Sequence, residues 1–280
     1  MPLIPDDKLP EHIALGKYPH YYSCPVFTYD PFKGVVKNGT LTLIESENGI
    51  IGITCAHVLD YYTSNVERQK HLQFQIGLNI INPNDHLIDY DQPLDLCTFR
   101  IDPSMVNKMK GESYPEMGGS RVTRIYQEEI KDGDKITFGG LPGKWTELPE
   151  PKFLRFETFT VVRGTASSSG ISHYTCQLDD PDAWPVQVTT ANPRPAKSLR
   201  DLGGISGGPA FILSNESTQL ELAGIIYEGK SILGGTTLVI YLRPAKMINF
   251  DGSLNRDYAH FRNHLASQVQ EDQLNLDNIV

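Results

Sequence analysis

Ser206 stands in the segment Leu202-Gly203-Gly204-Ile205-Ser206-Gly207-Gly208-Pro209, with glycines on both sides. Glycine reaches φ > 0 at little steric cost, so this spacing predicts a tight turn that exposes the hydroxyl and aims successive backbone N–H groups at one point. The N–H groups of Gly204 and Ser206 are then placed to hold the charge that develops on a carbonyl oxygen under attack, as an oxyanion hole. A serine hydroxyl is a weak nucleophile, so this chemistry needs a base. Of the 8 histidines, His57 has the most constrained setting, closing an apolar strand-like run in Thr54-Cys55-Ala56-His57. In Leu94-Asp95-Leu96-Cys97-Thr98-Phe99, Asp95 is a lone carboxylate inside an apolar strand pattern. An unpaired buried carboxylate is costly, and the Nδ1–H of His57 is a fitting donor for it. Asp89 and Asp91 lie nearby as rival carboxylates, and the apolar setting favours Asp95. Base and orienting carboxylate then belong to one group of strands and the nucleophile to another, which puts the site in the crevice between them.

The elements that must hold these residues are short β-like runs with turn residues between them. Residues 1–20 read as an irregular arm. Gly39 to Glu45, Gly49 to Thr54, Leu72 to Ile80 and Leu94 to Ile101 form a first group. The polar stretch from Pro103 to Gly119 reads as a linker. A second group runs from Lys135 to Leu242 and includes Phe153 to Arg163, His173 to Leu178, Pro209 to Leu213 and Gln219 to Ile226. Two such clusters imply two small closed sheets, because long open sheets leave edges that invite aggregation. Helix is scarce until the end, where Tyr258, Phe261 and Leu265 share one face of a short amphipathic run. The expected organisation is therefore an arm over 1–20, a first β-barrel over 21–120 and a second over 121–248. A C-terminal helix and tail over 249–280 complete it.

Composition agrees with this class and narrows the functions. With 280 residues, 39% of them hydrophobic, the chain has ample material for a packed core. Its 24 glycines and 19 prolines do not suit a helical bundle, and its 13 tyrosines and 11 phenylalanines suit pleated, half-buried surfaces. A formal net charge of -9 argues against nucleic acid or an anionic membrane as the main partner, since both are polyanions. No apolar run has bilayer-spanning length, and the opening residues lack the basic and apolar regions of a secretion signal. Cys24, Cys55, Cys97 and Cys176 form no CxxC pair, so neither a zinc ribbon nor a thioredoxin motif can be drawn. They are expected to be reduced, buried thiols in a cytoplasmic protein. His260 and His264 share a helix face but have no accompanying ligand set, and no metal or cofactor is expected. Asn38-Gly39-Thr40 and Asn215-Glu216-Ser217 read as turns.

Thr54-Cys55-Ala56-His57, the Asp95 strand and Gly204-Ile205-Ser206-Gly207-Gly208-Pro209 together resemble the three motifs of the chymotrypsin-like (trypsin-like) serine proteases. They occur in that family's order, and the resemblance spans roughly Gly39 to Leu242. It implies an all-β fold of two six-stranded antiparallel barrels, with Ser206 as nucleophile, His57 as general base and acid, and Asp95 holding the imidazole tautomer. Lys131 to Gly143, with its Phe138-Gly139-Gly140-Leu141-Pro142-Gly143, is similar to the opening of the second barrel in the bacterial, degradative branch, and the chain as a whole resembles a bacterial-type intracellular member. Ile205 stands where zymogen-activated members carry an aspartate, so that activation device is not expected. The resemblance also points to Tyr227, Glu228 and Gly229 as a substrate-binding strand, and to Arg200 on the pocket floor. Asp201 beside it would favour the opposite substrate charge, and a solvated Arg200-Asp201 pair outside the pocket is the plainer reading.

The function expected is that of a serine endopeptidase acting on a protein or peptide substrate. Two rivals accompany it: a protease held latent until a regulatory protein partner or ligand orders its site, and a catalytically silent binding module of the same fold.

Overall fold

The computed structural model describes residues 11–110, 121–128, 130–143, 147–150, 153–155, 158–168, 174–178, 186–188, 193–195, 203–213, 220–232 and 237–257. Two antiparallel sheets dominate them. The first contains β1 (Ser23–Asp30), β2 (Gly34–Ser46), β3 (Gly49–Thr54), β4 (Gln73–Ile76), β5 (Asn79–Ile81), β6 (Leu87–Asp91) and β7 (Leu96–Ile101). Its 7 strands run in the order β5-β4-β1-β2-β3-β7-β6. The second half supplies β8 (Lys135–Gly140), β9 (Glu147–Glu150), β10 (Phe153–Arg155), β11 (Thr158–Ser168) and β12 (Tyr174–Leu178). It continues with β13 (Val186–Val188), β14 (Pro193–Pro195), β15 (Pro209–Leu213), β16 (Leu220–Ile232) and β17 (Thr237–Pro244). Its main sheet runs β12-β17-β16-β15-β8-β11-β13-β14, and a further pairing of β12 with β11 closes the first six of these into a ring. Strands β13 and β14 extend from that ring, and β9 pairs with β10 alone.

The molecule is thus all-β with two main sheets, as the strand rhythm predicts. The second contains the expected six-stranded barrel, whereas the first is a curled seven-stranded sheet rather than a six-stranded closure. Its ends, β5 and β6, are linked through the short helix Pro83–His86. A strand at the edge of a sheet needs cover, and the chain beyond β17 supplies some of it. There Thr98 Oγ1 donates to Gly252 O at 2.7 Å, and Leu254 N donates to Asp89 Oδ2 on β6 at 2.9 Å.

Alternation along the strands sorts apolar residues into three packed groups. Leu41, Leu43, Phe74 and Phe99 fill the inside of the first sheet, and Ile136, Phe138, Ile226 and Ile240 fill the ring. Ile44, Ile51, Ile53 and Leu96 from the first sheet meet Phe211, Leu222 and Ile225 from the ring in a third group between them. Strands β2, β3, β15 and β16 are therefore apolar on both faces, and the crevice is held shut below the site by continuous core.

Among the described residues four α-helices accompany the strands: α1 (Glu11–Tyr22), α2 (Ala56–Asn65), α3 (Pro83–His86) and α4 (Pro103–Lys110). Helix α1 replaces part of the expected irregular arm. Its Pro19 is a breaker by local rules, but Tyr18 and Tyr22 pack on Phe211 at ring distances of 5.3 and 5.1 Å, a tertiary gain that outweighs the lost bond. Helix α4 occupies the first part of the expected linker, with Met105 and Val106 buried in the first core. Asn38-Gly39-Thr40 lies within β2 rather than in a turn, and β1, with Val26 and Phe27 buried, is a strand the sequence rhythm did not mark. The expected C-terminal helix and the pair His260 and His264 lie outside the described residues, as does Asn215. Among the described residues no helix is long and apolar enough to cross a membrane.

Candidate active site

Strand β3 ends at Thr54, and helix α2 begins at Ala56 with Cys55 as its N-cap. His57 accordingly lies in the first helical turn rather than at a strand terminus. Helix starts leave N–H groups without intrahelical acceptors, and the Cys55 side chain caps none of them. Asp95 does so from a distance: its Oδ1 accepts the His57 backbone N–H at 3.0 Å. The same carboxylate meets His57 Nδ1 at 2.8 Å through Oδ2 and 3.1 Å through Oδ1. One side chain thereby fixes both the backbone and the ring of His57, leaving Nε2 as the outward nitrogen.

Asp95 is not inside the strand. It ends the turn before β7 with φ 54°, the sole non-glycine with positive φ among the described residues, and Asp95 N donates to Gln92 O at 3.0 Å. Left-handed backbone is strained for a residue with a Cβ, though Asp tolerates it better than most. Its side chain is 24% exposed, so the pairing with His57 rests on aim more than on deep burial. Asp89 and Asp91 face elsewhere, towards Arg256.

Behind the pair, Cys55 and Cys97 are buried free thiols. Burial pushes both thiols well up, and the Asp95 carboxylate adds to the effect. Cys55 Sγ donates to Ile226 O at 3.3 Å and Cys97 Sγ to Cys55 O at 3.6 Å. Cys55, His57 and Asp95 do bring three metal-ligating atoms within 4.8 Å of one another. The closeness is that of the pair and its packing: His57 Nδ1 and Asp95 Oδ2 are spent on each other at 2.8 Å, and the Cys55 thiol donates to Ile226 O. Tyr90 OH donates to Asp60 Oδ1 at 2.7 Å on the same flank, and burial with that bond pushes the phenol up to about 12.

The Ser206 loop is shaped by backbone. Gly204 and Gly207 have φ of 104° and 90°, and a Cβ at Gly207 would collide with Thr40 O and lie 2.5 Å from Thr54 Oγ1. Carbonyls of the loop are tied down one after another. Gly143 N donates to Gly203 O at 2.6 Å and Gly208 N to Ile205 O at 2.8 Å. In a trans peptide the N–H points opposite its C=O. Anchoring the carbonyls of Gly203 and Ile205 therefore fixes the N–H groups of Gly204 and Ser206, neither of which donates a hydrogen bond among the described residues. These are the two donors the sequence nominates for an oxyanion.

Strand β2 clamps this loop to the first sheet. Thr40 N donates to Ser206 O at 2.8 Å, Thr40 Oγ1 to Gly204 O at 2.9 Å, and Thr42 Oγ1 to Gly207 O at 2.8 Å. Thr40 Oγ1 also accepts from Leu141 N at 2.9 Å, and Thr40 O accepts from Thr54 Oγ1 at 2.6 Å. Every polar group of Thr40 is thus used to register the two halves. Sequence reasoning missed Thr40 and Thr42, whose signal is faint: two alternate threonines in an otherwise apolar strand.

Ser206 Oγ lies 3.5 Å from Tyr227 O and makes no hydrogen bond to His57. Tyr227 itself is the extra residue of a bulge in β16, since Ile226 pairs with Leu242 and Glu228 already with Tyr241. Tyr227 and Glu228 are half-buried and Gly229 is exposed, on the strand expected to face substrate. Arg200 and Asp201 lie outside the described residues. A third residue missed from sequence is Arg243 of β17, 1% exposed, whose guanidinium lies 4.0 Å over the Tyr227 ring.

No family model matches the chain. No curated protein matches it. Among solved structures the chain is similar to the Rv3671c protease from M. tuberculosis in its active form, at 15% identity, with 83% of this chain and 79% of that one covered and a TM-score of 0.41. It is similar to the thermostable serine protease AL20 from an extremophilic microorganism at 16% identity, covering 82% and 92%, with a TM-score of 0.42. A serine endoprotease from Yersinia pestis matches at 16% identity over 86% of this chain and 65% of its own length, with a TM-score of 0.44. At these identities no residue's role passes from them to this chain.

Proposed function

We propose that the protein is a serine endopeptidase of the chymotrypsin-like type, working through Ser206, His57 and Asp95. The observation that supports it most is the double hold of Asp95 on His57, ring and backbone, together with a serine loop whose carbonyls are tied so that the N–H groups of Gly204 and Ser206 are fixed. In the reaction Ser206 Oγ attacks the scissile carbonyl carbon while its proton passes to His57 Nε2. The carbonyl oxygen gains negative charge and is held by the N–H groups of Gly204 and Ser206. Collapse breaks the C–N bond, and the departing amine takes the proton from His57. Water then attacks the acyl ester, giving a proton to His57; the ester C–O bond breaks, Ser206 Oγ takes that proton back, and the new carboxyl product leaves. The backbone of Tyr227 to Gly229 pairs with an extended substrate, and Arg200 belongs to the proposal as a pocket residue. Free thiols at Cys24, Cys55 and Cys97 fit a reducing, cytoplasmic setting.

One observation favours a second reading. Ser206 Oγ faces Tyr227 O rather than His57, as a latent enzyme would until a regulatory partner or substrate strand engages Tyr227, or as a silent binding module would permanently. Rotation about χ1 moves the hydroxyl between staggered positions at small cost. Incubating the protein with a proteome-derived peptide library, with Ser206→Ala as control, tests the proposal. New peptide termini produced only by the wild type are expected; identical termini from both proteins, or none with and without added cell extract, would leave the binding module standing.

A further inference from the structure

A buried arginine needs a reason, because removing a guanidinium from water costs several kcal/mol unless it is well partnered. Arg243 is among the largest fully buried side chains of the protein, at 1% exposure. Its backbone belongs to the ring, opposite Ile225 in the β16–β17 pairing. Its side chain crosses to the first sheet, where Nε donates to Leu94 O at 2.8 Å. Leu94 immediately precedes Asp95, the residue held in left-handed backbone. The opposite face of the story is Tyr227, whose ring lies under the guanidinium at 4.0 Å and whose carbonyl faces Ser206 Oγ. The Arg243 charge also lowers the Cys55 thiol, against the raising effect of Asp95, so guanidinium and carboxylate act on the same buried spot.

We infer that Arg243 is a positioning residue for the triad, and this rests on the serine peptidase reading. It acts through two neighbours. By holding the Leu94 carbonyl it fixes the peptide that enters Asp95 and keeps the carboxylate aimed at His57. By stacking on Tyr227 it sets the bulged substrate strand, and the carbonyl beside Ser206, at a fixed distance from that carboxylate. A guanidinium does both at once, because its planar face stacks while its edge donates; an ammonium donates from a point and does not stack in the same way. Arg243 thereby registers the upper part of the crevice as Thr40 registers its floor.

The test uses the full chain as wild type, Arg243→Lys and Arg243→Met. Two signals are read: the second-order rate of labelling by a fluorophosphonate, and the far-downfield proton resonance of His57 Nδ1–H in its bond to Asp95. Thermal unfolding serves as the check on folding. Labelling is expected to fall about ten- to a hundredfold in Arg243→Met, the size of a lost hydrogen bond to a charged group. Arg243→Lys is expected to fall in between. The downfield resonance is expected in the wild type and Arg243→Lys and to broaden or vanish in folded Arg243→Met, a change that a merely stabilising residue would not produce. Labelling rate and resonance unchanged in Arg243→Met would overturn the inference. Should that variant not fold, Arg243→Lys decides alone, and labelling at the wild-type rate would overturn it. If the wild type does not label either alone or with added cell extract but its resonance is lost in Arg243→Met, the inference stands and the peptidase reading falls.

Discussion

The two halves of the crevice position their groups by different means. The first sheet delivers side chains: His57 and Asp95 are aimed by one carboxylate that caps a helix and grips a ring. The closed ring delivers backbone: the N–H groups of Gly204 and Ser206 are aimed because the carbonyls on either side of the loop are tied. A seven-stranded sheet without ring closure has strand ends and turns, such as the one before Asp95, from which side chains project. A closed ring has few free ends, and its loop gains chemistry through glycine conformations that no other residue adopts cheaply. The contrast teaches where each half is vulnerable: the first to changes of functional group, the second to the addition of a single carbon.

The largest effect is expected from Asp95→Asn. Asparagine retains an oxygen to accept the His57 N–H but loses the grip on the correct ring tautomer, so labelling or turnover should drop by roughly 10⁴-fold with a nearly unchanged melting temperature. A large loss of stability instead would mean that the first half, too, works through its backbone. Gly207→Ala is next and inverts the pattern. A Cβ there meets Thr40 O and Thr54 Oγ1 in left-handed backbone, so about 3 kcal/mol or more of stability should be lost, read by denaturant unfolding. An alanine accommodated without cost would break the comparison outright.

Thr40→Val sharpens it, because this residue belongs to the joint. The isosteric methyl leaves Gly204 O and Leu141 N without their partner. The expected cost is about 1–3 kcal/mol, with labelling reduced further than stability alone explains, since the Gly204 N–H is the proposed oxyanion donor. The smallest effect is expected at Asp89, remote from the site, which joins β6 to the returning chain. Burial alone would raise its carboxyl, but hydrogen bonds from Arg256, Leu254 N and Tyr90 N outweigh it and hold it below the usual range. Its folded pKa therefore lies below the unfolded value of about 3.9. The contribution to stability is complete above that pH and is lost as pH falls through the folded value. Asp89→Asn should lower the melting temperature slightly at neutral pH, and the gap from wild type should close in strong acid.

Much of this arrangement is legible in sequence where a residue's type decides its place. The strand ending at Thr54, the glycines around Ser206 and the closeness of His57 and Asp95 follow from apolar pattern and from the cost of an unpaired carboxylate. What escapes is set by tertiary contact. Helix α1 contains Pro19 and forms because Tyr18 and Tyr22 find Phe211. His57 enters a helix because Asp95 caps it from 38 residues away. Asp95 leaves the strand for a left-handed turn that alternation cannot register. Thr40 and Arg243 look like ordinary strand residues until both halves are in place.

The central claim is that Ser206 is activated by His57 and Asp95 across the crevice. Reaction of the purified chain with a fluorophosphonate, which phosphonylates only an activated serine with loss of fluoride, tests it most directly, with Ser206→Ala and His57→Ala beside it. The account predicts a single phosphonylated residue, Ser206, in the wild type and none in either variant. A wild type that remains unlabelled alone and with cell extract, or a His57→Ala variant labelled at the wild-type rate, would contradict it.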